Sequence, residues 1–134
     1  MVFKEIILTL PIYIRIGKTN KAKLYTINLN NYRNWHYLVN NTIKQKYHEI
    51  ITSQIKPEMK LIFKKPNIKY TIFLRDRRKA DIMNYVSIVD KFTCDSLVKN
   101  FVLFDDDYSV LSNFKIEFGG IDKINPRIEM TIYE

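Results

Sequence analysis

Three glycines and one cysteine among 134 residues remove several chemistries at once. The single cysteine, Cys94, allows no disulfide within the chain and no cysteine-based zinc site. So few glycines leave no room for a phosphate-cradling glycine loop or a dinucleotide fingerprint. No run of about 18 apolar residues occurs, so nothing reads as a membrane span. The opening stretch MVFKEIILTLPIYIRI contains an acid and an arginine and lacks a small-residue cleavage site. It reads as a strand rather than a signal peptide, and a cytoplasmic setting follows as the default expectation. His36 and His48 stand about 18 Å apart along one predicted helix, too far to share a metal.

Acids are scarce too, and this is where the sequence becomes informative. Twenty-two lysines and arginines against 14 acids give a net charge of +8. Such an excess favours a polyanion partner, although abundant Ile, Lys, Asn and Tyr also suit an AT-rich coding bias. Seven of the eight aspartates fall between residues 76 and 107: Asp76, Asp81, Asp90, Asp95, Asp105, Asp106 and Asp107. All six glutamates lie outside that window. A solvated helix face would mix Glu with Asp, because Glu is the better helix former. Short carboxylates gathered in one part of a basic chain suit a hard divalent cation.

Hydrophobic content of 46% and aromatic content of 13% exclude disorder and suffice for a core. The expectation is one domain over 1–134, of α+β class, with a mixed sheet and two main helices in the order β-β-α-β-α-β-β. Residues 4–16 alternate as a strand with Pro11 marking an edge or bulge. Gly17–Lys23 forms a basic hairpin loop, then LYTINL a second strand. Asn30 or Asn31 caps a helix over 32–54 carrying Trp35, Leu38, Val39, Ile43, Tyr47, Ile50 and Ile51 inward, and Pro57 closes it. MKLIF reads as a short strand, Ile68–Leu74 as the clearest one, and Asp81–Lys99 as a second helix. Its core stripe is Ile82, Tyr85, Val86, Val89, Phe92 and Leu97. NFKIEF and PRIEMTIY close the chain as strands.

On the second helix, Asp81, Asn84, Ile88, Lys91 and Asp95 share a side away from that stripe, while Asp90 projects elsewhere. Taken alone, Asn84 and Asp95 are accounted for by a solvated face. FDDD (Phe104–Asp107) changes this, since three adjacent aspartates repel one another unless a loop or a cation relieves them. A metal bridging Asp81 and one carboxylate of the DDD run would explain both clusters. Mg²⁺ takes one or two protein carboxylates and keeps waters that can attack a phosphodiester. Lys91 would stabilise developing charge, and Arg75, Arg77, Arg78 and Lys79 would grip the DNA backbone. Lys18, Lys21 and Lys23 are further phosphate candidates, with a solvated hairpin tip an equal alternative. Cys94 reads as a packing residue rather than a nucleophile.

RDRRKADIMN, then KFTCDSL, then DDDYSV resembles the RusA-like family of Holliday junction resolvases. NYRN opening a helix and the closing PRIEMTI fit the same order, and NxxSIVDKFxCDxL is similar to a phage branch with about one extra helical turn. The resemblance implies Asp81 as the first metal aspartate, Asn84 as its neighbour and Lys91 as the catalytic lysine. It further implies Asp95 as a supporting acid and Asp106 with Asp107 as the acidic pair, Asp107 being the essential one. Met83 stands where that family has a second aspartate, so that Asp90 substitutes for it, Asp81 and the DDD loop hold the metal alone, or cleavage is reduced or lost. A homodimer using Mg²⁺, with Mn²⁺ as substitute, and nicking opposite strands of a four-way junction is what the resemblance implies.

Overall fold

A computed structural model describes residues 5–134. It contains six strands: β1 (Glu5–Pro11), β2 (Tyr13–Ile16), β3 (Lys23–Thr26), β4 (Asn67–Leu74), β5 (Asn113–Ile121) and β6 (Arg127–Tyr133). The helices are α1 (Leu29–Asn34), α2 (Tyr37–Thr52) and α3 (Ile82–Lys99). Four strands form one mixed sheet in the order β1-β6-β4-β5, with β4 and β5 parallel and the other pairs antiparallel. β2 and β3 form a separate antiparallel hairpin. This is the α+β architecture expected, with two long helices and a short third.

Alternation along the strands decides which face is covered. Leu8, Ile68, Tyr70, Ile72, Met130 and Ile132 are sealed beneath the helices, while Ile7 on the other face is exposed. α2 packs on β1 and on α3, and α3 packs on β4. His48 Nδ1 and Ser96 Oγ lie 2.7 Å apart across the α2–α3 seam.

The differences from the expected elements have local causes. The strand expected over 4–16 starts outside the described residues and is broken after Pro11, whose missing N–H ends the ladder. The single helix over 32–54 is two. Asn28, rather than Asn30 or Asn31, caps α1 through the Asn31 N–H. The chain then turns at Trp35, whose ring meets Tyr25 and Tyr32 edge to face, and His36 Nδ1 accepts from Leu38 N to start α2. MKLIF pairs with no strand among the described residues: Met59 closes a 3-10 turn and Leu61 has a φ of 52°.

Two turns set the functional ends of α3. Phe101 takes the left-handed position, with Phe101 N bonded to Val98 O and Val102 N to Leu97 O. This buries Val102 and Leu103 and throws the acidic segment back beside the helix. At the other end of β5 the register slips between Ile72 and Phe73, leaving Gly119 under the Phe73 ring. A Cβ on Gly119 would stand 2.7 Å from that ring and from Thr71 Cγ2. Gly119→Ala should therefore lower unfolding free energy by about 1–3 kcal/mol in urea titration; an unchanged midpoint would show that the bulge has slack.

Candidate functional site

The site residues lie in two loops joined by α3. The basic loop, residues 75–80, leaves the end of β4. Asp76 organises it, accepting from Arg78 N at 3.0 Å and pairing with Arg75 and Arg78 at 3.6 and 3.9 Å. The Arg75 guanidinium also lies over the Tyr13 ring at 4.9 Å. Arg77 and Lys79 are exposed and form no ion pair among the described residues. The open cleft beneath them, about 410 Å³, is walled by Leu74, Ala80, Ile82, Phe118 and Ile121.

Asp81 follows as the N-cap of α3, its Oδ1 accepting from Met83 N at 3.0 Å. A carboxylate at that position favours the helix dipole as well as the orphan N–H. Asn84 turns towards α1, accepting from Asn30 N at 3.3 Å, and Asp95 pairs with Lys44 of α2 at 3.6 Å. The side expected to face away from the core is therefore partly an inter-helix seam, and its Ile88 is buried. Lys91 remains exposed.

Asp90 points elsewhere, as expected, and its setting was not foreseen. The Tyr70 hydroxyl, rising from the middle of β4, donates a short hydrogen bond to Asp90 Oδ1, and Cys94 Sγ approaches the same oxygen at 3.4 Å. Burial pushes the Cys94 thiol well up, with the Asp90 charge adding to it, so Cys94 is an inert packing group. Burial likewise holds the Tyr70 phenol protonated, as a permanent donor. Tyr70 occupies an inward position of an alternating strand; only its pairing with Asp90 required the fold.

The acidic loop, residues 104–112, carries carboxylates in two states. Partial loss of solvent, a hydrogen bond with Asp105 and the charge of Asp95 raise the Asp106 pKa. Asp107 is held low, because Ser109 donates to it through Oγ and through its backbone N–H at 2.9 Å. Lys18, Lys21 and Lys23 stay exposed at the β2–β3 tip, with Lys23 Nζ over the Tyr25 ring at 5.2 Å. Asp122, the one aspartate outside the window, is bound by Arg127 at 2.7 Å beside the basic loop.

Distance separates these groups. Asp81 and Asp95 are 14 positions apart, about 21 Å along the axis of α3, and Asp106 feels Asp95. One ion touching both Asp81 and Asp106 of the same chain does not fit that spacing. Among the described residues no three His, Cys, Asp or Glu side chains converge to hold a metal. The unrelieved repulsion around Asp106 does suit a hard cation taken by two carboxylates, the rest of its shell being water and phosphate oxygen.

Comparison with known families adds the biological frame. A family model described as endodeoxyribonuclease RusA matches residues 14–133, which includes both loops and all of α3. No curated protein matches the chain.

The electrostatics give a pH signature. Ionised Asp106 works against the folded state at neutral pH, and that penalty disappears as pH falls below the ordinary carboxylate range. Asp107 contributes stability above the ordinary carboxylate pKa, lost as pH falls through its lowered value. Carboxyl-carbon NMR titration should place Asp106 above and Asp107 below ordinary aspartate. Asp105→Asn should bring Asp106 down and Ser109→Ala should bring Asp107 up; coincident titrations would contradict the assignment.

Proposed function

The chain belongs to the endodeoxyribonuclease RusA family, and from that premise we propose that it is a Mg²⁺-dependent, structure-selective endonuclease resolving four-way DNA junctions by paired symmetric nicks. The observation that carries this reading is the basic loop and the acidic loop set at the two ends of one helix within a chain of net charge +8. Arg77, Arg78 and Lys79, with Arg75 and the tip lysines Lys18, Lys21 and Lys23, grip the sugar-phosphate backbone and supply most of the salt-sensitive affinity. Asp107 is the essential carboxylate: the hydrogen bonds from Ser109 favour its ionised form. Asp81, Asp106 and Asp90 assist, Asp95 and Asn84 support, and Lys91 offsets charge developing on the phosphate. Asp107, with a second of these carboxylates, would hold Mg²⁺, or Mn²⁺ in its place, which would supply an activated water and charge neutralisation for phosphodiester hydrolysis. Such a nuclease acts as a homodimer, because opposite strands of a junction are related by a two-fold axis, and its substrate places it in the cytoplasm of a bacterial or phage-infected cell.

One observation favours a second reading. Met83, half exposed in the first turn of α3, offers no oxygen where the family pattern has aspartate. A junction-binding protein that no longer cleaves would carry such a change.

Asp107→Asn should abolish nicking while leaving junction affinity equal or tighter, since a repulsive charge next to phosphate is lost. Arg77→Ala with Arg78→Ala should weaken binding uniformly and flatten its dependence on salt by about two units of log–log slope. Normal cleavage by Asp107→Asn would overturn the mechanism. Tight binding without nicks by the unmodified chain would favour the second reading.

A further inference from the structure

Residues 122–126 link β5 to β6, and β4 lies between those two strands. The link therefore crosses the end of β4, a span of about 9–10 Å at ordinary strand spacing. It is fastened there: Asp122 N donates to Leu74 O at 2.7 Å, one residue before the basic loop begins. The Asp122 carboxylate accepts from Ile124 N at 3.2 Å and from Asn125 N at 3.0 Å. Arg127 ties the far side, donating to Asp122 Oδ2 at 2.7 Å and to Asn125 O at 2.9 Å. Its guanidinium is held in turn by Glu129 at 3.0 Å and lies over the Phe73 ring at 4.1 Å.

At the centre of this braced link stands Ile124, 95% exposed, the most exposed large apolar side chain among the described residues. A lone exposed isoleucine is ordinary; this one differs in its support and its neighbours. The bonds at Asp122, Asn125 and Arg127 fix the backbone that carries it, so little further ordering is lost when it enters a partner. Two residues of chain, about 7 Å at most, separate it from Asp122 and so from the root of the basic loop. Exposed Lys123 precedes it, and exposed Arg77 and Lys79 belong to the loop that Leu74 leads into.

Cations beside one outward apolar group suit a phosphate backbone with base faces within reach. An apolar protein partner would instead want a contiguous patch. Aliphatic side chains enter between base steps, unstack them and kink the duplex. Opening an intact step costs free energy, whereas at the branch of a junction the stack is already interrupted. Phosphate contacts from the basic loop carry no such discrimination. We propose that Ile124 is a wedge that enters the base stack at the branch point of a DNA junction, while Lys123 and the basic loop hold the flanking phosphates. The wedge rests on the junction reading above and supplies a source for its selectivity.

2-Aminopurine, an adenine analogue that brightens on unstacking, tests this when placed beside the branch of a four-way junction and at the matching position of a linear duplex. Without divalent metal, so that no strand is cut, the unmodified chain should brighten the junction and leave the duplex unchanged. Ile124→Ser should abolish the rise and lower the preference for junction over duplex by about fivefold. Its duplex affinity, salt dependence and urea midpoint should stay as in wild type, because the side chain packs on nothing. Ile124→Leu should behave as wild type. A rise that survives in Ile124→Ser, or an unaltered preference, would overturn the wedge. Tight junction binding by the unmodified chain with no rise would overturn it too, leaving the nuclease reading to the nicking assay. A chain with no preference for the junction would remove the reading on which the wedge rests.

Discussion

The parallel pairing of β4 with β5 is the constraint from which the rest follows. Two antiparallel neighbours can be joined by a tight turn, but parallel neighbours need a connection that returns the chain to the end where it began. Here that connection is α3, 18 residues long and laid over β4. Its length fixes the basic loop at one end of the sheet and the acidic loop near the other. Clusters that read as neighbours in sequence, RDRRKAD and FDDD, are held apart by the helix between them.

Within that frame, each carboxylate is given a state by its partners rather than by its residue type. Asp81 is committed to the helix terminus, Asp95 to Lys44, and Asp90 to a phenol that burial holds protonated. Asp107 is steadied by Ser109 and stays charged, while Asp106 next to it is crowded by other acids. Three chemically identical side chains in a row therefore do different work. A cation drawn to the loop would relieve Asp106 and find Asp107 already ionised, which is the electrostatic case for metal-assisted phosphodiester chemistry there.

Much of this was legible in the sequence. β4, β6 and α3 follow from clean period-2 and period-3.6 patterns, and the chain's family from the spacing of its Arg, Asp and Lys residues. What escaped was decided by non-local contacts or by competing caps. Asn28, Asn30 and Asn31 are equivalent candidates until Asn28 finds the Asn31 N–H. The apolar run through Trp35 conceals a break made by three aromatic rings. MKLIF has strand-like residues but pairs with no strand among the described residues. The Tyr70–Asp90 bond spans 20 positions between a strand and a helix, and no local pattern announces it. The separation of Asp81 from the acidic loop depends on the length of α3, which the clustering of aspartates along the sequence conceals.

The most direct test of the account is a nicking assay on an end-labelled synthetic four-way junction, run beside a linear duplex of matched sequence with and without Mg²⁺. The account predicts symmetric paired nicks on the junction alone, and only with the metal. Equal cutting of both substrates, or binding without any nick in Mg²⁺ or Mn²⁺, would contradict it.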